Sequence, residues 1–438
     1  MSKDTLDPVP AQTLRLQDHP LRYELANELH ARPFPSLRAP AHAAYLAIKT
    51  VGDAQSRDRD EDRAHLIDLL DRFGAQHPAP GATHYSADLG PFRLKWESHT
   101  EFVTYTVFVD GTSERPFDSR SFDVFPADWL AIAPGTRLTS ALVRVEVQAE
   151  DDPIDEKLAE WFVGESLAAS RVIDGAGVLA GDFRIDSAGH MRFCLFVRPG
   201  IGERRVGRVV QRICEIETYK SMAMLGFKRS RDLSPKLSKL EAQLETLTGS
   251  MASRAEEAEE TLKALLTISA ELEGLLARAN FRFSATRAYE AIVVDRIRVI
   301  DETTFNGRQT FQEFMRRRFD PAMRTVQATE QRMASMAERA ARAGNLLRTR
   351  VDVERSAQNQ SLLESMNNRS DLQLRLQKTV EGFSVVAISY YALNLVSYLL
   401  APLAEPMGWT KGWLTAALVA PVVFFVWLMI RRIRRAME

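Results

Sequence analysis

Cysteine is nearly absent: of 438 residues only Cys194 and Cys214 are of this type, set in the apolar contexts FCLF and RICEIE with no CxxC spacing. That excludes a disulfide scaffold, fits a reducing compartment and predicts two buried, inert thiols. No histidine occurs beyond His190, so the second half holds no imidazole ligand or proton relay. The opening MSKDTLDPVPAQTLRLQDHP has no apolar core of the signal-peptide kind, so a cleaved secretory signal is not expected and residues 1–18 read as a loose polar arm. The formal net charge is only -1, which gives no whole-protein reason to expect nucleic acid. GxxxxGK[ST], GxSxG and HExxH are all missing, and no enzyme is expected.

Charge is also missing from two stretches, Gly382 to Leu403 and Gly412 to Ile430. Each is close to the ~17–25 residues that cross a bilayer, and AEPMGWTK between them reads as a tight turn. Such a hairpin puts both flanks on one side. Arg369, Arg375 and Lys378 before it, and RRIRR after it, mark that side as cytoplasmic, with the whole body before residue 380. Trp409, Trp413 and Trp427 suit interfacial anchors, and Pro421 is expected to kink the second span. The alternative is a helical hairpin buried in a soluble protein.

Residues 19–202 mix short helix and strand patterns. LRYELANELHARP, RDEDRAHLIDLLDRF, FPADWLAIAPG and DEKLAEWF read as helices; AYLAIKTV and RLTSALVRVEVQ read as strands. FRLKWESHTEFVTYTVFVDG reads as a hairpin, and SRVIDGAGVLAGDFRIDSAGHMRFCLFVRPG as two or three strands with glycine turns. The fold class is α+β with a mixed, largely antiparallel sheet. After Glu203 glycine and proline become scarce, and residues 203–380 read as a helical stalk leading into a hairpin and basic tail at 381–438. One helix covers RRVGRVVQRICEIETYKSMAMLGF. A second is expected from Leu233, opened by Ser234-Pro235, to Arg278; a third over Asn280 to Thr304; a fourth over GRQTFQEFMRRRF. From Asp320-Pro321 nothing stops a final helix before Ala401-Pro402, about 80 residues or ~120 Å at ~1.5 Å each.

Along that last helix Met323, Val326, Glu330, Met333, Ala337, Ala340, Gly344, Leu347 and Val351 alternate by three and four, a coiled-coil type of seam. The same line then turns polar through Glu354, Gln358, Ser361, Ser365 and Asn368, and runs on through Thr379, Ser389 and Ser397 with Asn394 on its border. Polar groups within hydrocarbon are costly unless they face helices or water. Two readings follow: copies of the helix surround a water-filled path lined by this stripe, or the serines and Asn394 are hydrogen-bonding glue in a dry bundle. Small polar residues are common in helix interfaces, which favours glue on the residues alone. Either way the hairpin is expected to associate with copies of itself.

Chemistry elsewhere is sparse. In KWESHTE the residues Lys95, Glu97, His99 and Glu101 share one face of an expected strand, and a Glu97, His99, Glu101 row suits a divalent metal. The plainer reading is a solvated face of salt bridges, with Trp96 and Phe102 turned to the core. Glu215 and Glu217 point to different helix faces and suggest no paired acid and base. Arg316, Arg317 and Arg318 suit lipid phosphates or RNA, or more plainly a solvated helix face.

Four stretches, LRYELANELHARPFPSLRAP, KWESHTEF, GRVVQRICEIETYKSMAMLGF and QKTVEGFSVVAISYY, resemble a bacterial inner-membrane family known as domain of unknown function three-four-two-two. The resemblance runs over nearly the whole chain and carries no catalytic residue with it. The order of parts is also similar to the CorA-type magnesium channels, which are pentamers, and PMGWTKGW resembles their loop. Their Gly-Met-Asn signature is absent here; the corresponding region reads LLAPLAEPMGW. These resemblances imply a homo-oligomer, a pentamer if CorA-like, in the bacterial inner membrane with cytoplasmic termini. They also imply that a divalent cation such as magnesium is carried or sensed, with no resident cofactor. The leading expectation is a cation channel or transporter with a regulatory cytoplasmic domain, in which Glu354 concentrates cations at the mouth. The alternative is a membrane-anchored oligomeric scaffold without transport.

Overall fold

The computed structural model describes residues 17–28, 34–52, 57–250, 255–404 and 410–437. Nearly all of the expected polar arm, Leu29 to Pro33 of the first expected helix, Trp409 and most of the turn between the apolar stretches fall outside them.

In chain order come α1 (Arg22–Glu28), β1 (Ala41–Lys49), α2 (Arg59–Arg72), β2 (His84–Leu89), β3 (Phe92–Ser98) and β4 (Val103–Asp110). These are followed by α3 (Ala127–Ala131), β5 (Thr136–Val147), α4 (Asp152–Trp161), β6 (Ala168–Val172), β7 (Gly177–Ile185) and β8 (Met191–Val197). Long helices then take over: α5 (Glu203–Ser250), α6 (Ala255–Ile300), a two-residue β9 (Thr303–Thr304), α7 (Phe311–Arg318), α8 (Asp320–Ala404) and α9 (Lys411–Met437). The strands form one nine-stranded sheet in the order β2-β3-β4-β1-β5-β8-β7-β6-β9, antiparallel except where β5 meets β8. The class is therefore α+β with a mixed, mostly antiparallel sheet, as the sequence patterns indicate.

The sheet buries both faces, so strands that alternate, such as β3 (FRLKWES) and β4 (VTYTVFVD), bury their polar residues as well as their apolar ones. On one face Leu46, Leu94, Trp96 and Tyr105 pack with Leu66, Leu69 and Leu70 of α2 and Trp129 of α3. Further along, Ile154, Leu158 and Trp161 of α4 cover Val178, Ala180, Cys194 and Phe196. The opposite face receives α5, where the Tyr45 hydroxyl lies 2.5 Å from that of Thr218. Cys194 and Cys214 are free and buried, and burial pushes both thiols up, which suppresses the reactive thiolate.

Four expectations about the helices need correcting. Helix α5 runs without a break through Pro235. Proline removes one N–H there, but Arg231 and Pro235 are exposed, so water can satisfy the freed carbonyl while buried Leu233, Leu237, Leu240 and Leu244 hold the register. The expected boundary near residue 279 is likewise absent, because Leu272, Leu275, Ala279 and Phe283 form one continuous buried line on α6. Further on, α6 stops at Ile300, where Asp301 adopts a φ of 55°, and Thr303–Thr304 leave the expected third helix to pair with β6. Helix α7 begins later than expected because Thr310 and Glu313 form a reciprocal cap.

Gly226 of α5 sits against Thr286 of α6, where any Cβ would collide with the threonine side chain, so a hydrogen there is what allows the two helices to approach. Two compact units result. One is the chain up to Thr246 together with Thr267–Ala340; the other is Leu247–Leu266 together with the chain from Ala341. In the first, Met323, Val326, Met333, Ala337 and Ala340 of the expected seam on α8 are buried; in the second, so is Leu347.

His65 anchors the α2 face of the sheet. Its Nε2 donates to the Trp129 carbonyl at 3.1 Å, which leaves Nδ1 to accept from the Tyr105 hydroxyl at 3.0 Å, and its ring stacks on Trp129. Both ring nitrogens are thus used by the neutral form, and burial holds the imidazole below its ordinary value; His190 is lowered by burial in the same way. The unfolded chain takes up these protons near pH ~6.5 while the fold does not. Stability is therefore full above that pH and is lost as pH falls toward the lowered folded values. Urea unfolding from pH ~7.5 down to ~5 is expected to show a falling midpoint, with a shallower fall in His65→Gln.

Candidate functional site

The polar face of β3 is where the sequence suggests a metal. Strand β3 ends at Ser98, so Glu97, His99 and Glu101 do not form one row; the chain turns between β3 and β4 and sends the three side chains to different partners. Glu97 lies 3.2 Å from Lys95, and Lys95 donates to Gln211 of α5 at 2.8 Å. Gln211 in turn donates to Glu215 at 2.6 Å, and Glu215 accepts from Arg296 of α6. His99 stacks on Phe102 at 4.4 Å and meets Tyr219 edge-on at 6.2 Å. Glu101, 2% exposed, accepts from Arg282 and from the Tyr289 hydroxyl at 2.9 Å. Among the described residues no group of three His, Cys, Asp or Glu side chains is placed to hold a metal ion.

The plainer expectation of a solvated face is also corrected, because Lys95, Glu97 and Glu101 are all buried. Trp96 and Phe102 do turn inward as expected. The signal for this lies in α5: Gln211, Glu215 and Thr218 recur at steps of four and three, a polar stripe that matches Thr104 and Thr106 on the sheet. Between the two layers remains a cavity of about 20 Å³, room for a single water, lined by Tyr45, Lys95, Glu97, Cys214 and Thr218 among others. Burial pushes the Tyr45 hydroxyl far up, and burial together with Glu101 does the same to Tyr289, so neither serves as a base. Glu217 faces elsewhere, fully buried, accepting from Thr139 at 3.2 Å and from Lys220 at 2.6 Å. The arrangement is a buried lock between sheet and helix. KWESHTEF and the ICEIETYK stretch, far apart in sequence, meet in it.

The polar stripe on α8 divides into three segments. Glu354 is paired with Arg350 at 2.9 Å, one helical turn away, so its charge is already partly met. Gln358, Ser361, Ser365, Asn368 and Thr379 are exposed, and the Thr379 hydroxyl bonds back to the Arg375 carbonyl at 2.9 Å. Ser389 and Ser397, by contrast, are buried, and Asn394 is half-buried. Val426 of α9 is buried as well. The Lys411 ammonium at the start of α9 lies over the Tyr398 ring of α8 at 5.4 Å. Within the single chain Ser389 and Ser397 are thus the buried members of the stripe. Their hydroxyls have no partner among the described residues.

The apolar segments of α8 and α9 are long and apolar enough to cross a membrane, and only 11% and 6% of their apolar windows are buried. A hairpin hidden in the chain's own core is therefore not what forms. Arg316, Arg317 and Arg318 lie exposed in the last turn of α7, where cations suit the helix C-terminus, in keeping with the solvated-face reading.

Glu101→Gln is expected to leave the Arg282 guanidinium, 14% exposed, without its anion and to cost about 3 kcal/mol. Denaturant unfolding measures this, and Glu101→Gln with Arg282→Met is expected to recover most of the loss.

No curated protein and no solved structure matches the chain, so the architectural likeness to CorA-type channels gains no support. A family model described as "Protein of unknown function (DUF3422)" matches residues 17–437. The chain belongs to that family.

Proposed function

We propose that the protein is a self-associating, two-span membrane protein whose α+β unit is held at the cytoplasmic side as an oligomeric scaffold. One observation carries the reading: residues 355–380 of α8 are exposed on every side of the helix. A single helix of that length gains nothing from water. Along it Leu362, Met366, Arg369, Gln373, Leu376, Val380 and Phe383 alternate by four and three, and the apolar members are bare. That is the seam of a helix that pairs with its own copies, with Arg369 and Gln373 as a polar layer that sets register. Exposed Phe424, Phe425, Leu428 and Met429 on α9 suit acyl chains, and Arg431 and Arg432 after them suit the cytoplasmic face of an inner membrane.

Cation passage is the second reading, and the uncharged row of Gln358, Ser361, Ser365 and Asn368 beside the seam favours it. It ranks lower because Ser389 and Ser397 are buried within the single chain and Glu354 is paired with Arg350. A hydrated divalent ion such as magnesium would then have Thr379 at the entry and Asn394 within the bilayer segment as the remaining polar groups of the stripe.

Single cysteines at Leu362 and Met366, in a chain whose own thiols are buried, are expected to cross-link between copies under mild oxidation, and one at Asp352 much less. A lone subunit by mass in detergent sinks the scaffold reading. In liposomes the purified protein is expected to pass neither monovalent nor divalent cations; a flux blocked by Asn394→Leu would install the channel reading in its place.

A further inference from the structure

The end of β1, the start of β5 and one face each of α5 and α6 enclose a half-open cavity of about 580 Å³. Five of its lining residues are cationic: Lys49, Arg137, Arg229, Arg278 and Arg282. No carboxylate lines it among the described residues. The helices contribute their basic groups at matching spacing, since Arg278 and Arg282 are one turn apart on α6, as are Leu225 and Arg229 on α5, so each pair shares a face.

The five cations are satisfied unequally. Arg282 is shared with the buried Glu101, and Lys49 donates to the carbonyls of Thr50 at 2.9 Å and Gly52 at 3.1 Å. Arg137, Arg229 and Arg278 have neither a hydrogen-bond acceptor nor an ion-pair partner among the described residues, whereas Arg57, Arg144, Arg192 and Arg296 each hold a carboxylate. Arg137, Arg229 and Arg278, gathered around one concavity without a carboxylate among the described residues, repel one another. The repulsion is relieved when an anion of several charges enters.

We propose that this cavity binds a compact ligand bearing two or more phosphates. Guanidinium forks match phosphate oxygens two at a time, and the volume lies within the range of small-molecule sites. The lining has no aromatic ring on which a nucleobase could stack, so recognition goes to the phosphates. Leu138 and Leu225 give the cavity one apolar wall, suited to a short carbon spacer between charged groups. The same chemistry is presented by a soluble oligophosphate and by the headgroup of an acidic phospholipid.

Tripolyphosphate titrated calorimetrically into the purified full-length protein in detergent tests this, beside a second arm in micelles doped with cardiolipin, a lipid that bears two phosphates. One ligand per chain is expected, with affinity falling as salt rises. Arg229→Gln and Arg278→Gln are each expected to weaken binding roughly tenfold, while Arg316→Gln in α7 leaves it unchanged. Should Arg229→Gln lower the unfolding midpoint, Arg137→Gln with Arg278→Gln, both exposed, carries the same test. Binding of tripolyphosphate that these variants weaken supports the soluble source. Binding confined to the doped micelles, and weakened by the same variants, supports the lipid source. No binding in either arm, or binding that the variants leave intact, overturns the site whatever the oligomeric state proves to be.

Discussion

A charged strand face buried under a helix must have its ions paired, because an unpaired buried charge costs several kcal/mol while a paired one roughly breaks even. The face of β3 meets that constraint by running its charges through α5: Glu97 to Lys95, Lys95 to Gln211, Gln211 to Glu215 and Glu215 to Arg296. The link ends on α6, so one chain of polar contacts ties the sheet to both long helices of its unit. Glu101 with Arg282 and Tyr289 makes a second tie beside it. Such contacts add little net stability, yet they admit only one register of helix on sheet. The apolar cores on the other face then supply the stability for that register.

What the sequence reveals and what it hides follow from the same physics. Local patterns are legible: the hairpin of β3 and β4, the helices α2, α3 and α4, and the start of α8 at Asp320 all follow from spacing and caps within a few residues. The mismatches lie where long-range burial overrides local preference. Pro235 signals a helix start, but four buried leucines outweigh one missing hydrogen bond. The alternation in KWESHTE looks like a half-wet strand because the covering helix lies more than a hundred residues further on. A Glu-His-Glu spacing is likewise uninformative when the strand stops at Ser98 and the chain turns. The basic cavity is hidden for a related reason: its cations come from four separate elements and form no run in the sequence.

The stripe along α8 shows how one periodicity can carry several jobs. It begins as a buried apolar seam, continues as an exposed polar strip beside another apolar seam, and ends with Ser389 and Ser397 buried again. A helical wheel assigns all of these to one face and implies a common fate. The neighbouring elements decide otherwise, because the fate of each segment depends on which helix lies opposite it.

Gly226 gives the basic cavity a further meaning. Since no carbon fits between it and Thr286, the gap between α5 and α6 is set at the width of a hydrogen atom. Arg229 stands one turn from that pinch, so the span across which its guanidinium meets those of Arg278 and Arg282 is calibrated by the smallest side chain available. The calliper of the site is a residue that never touches its contents.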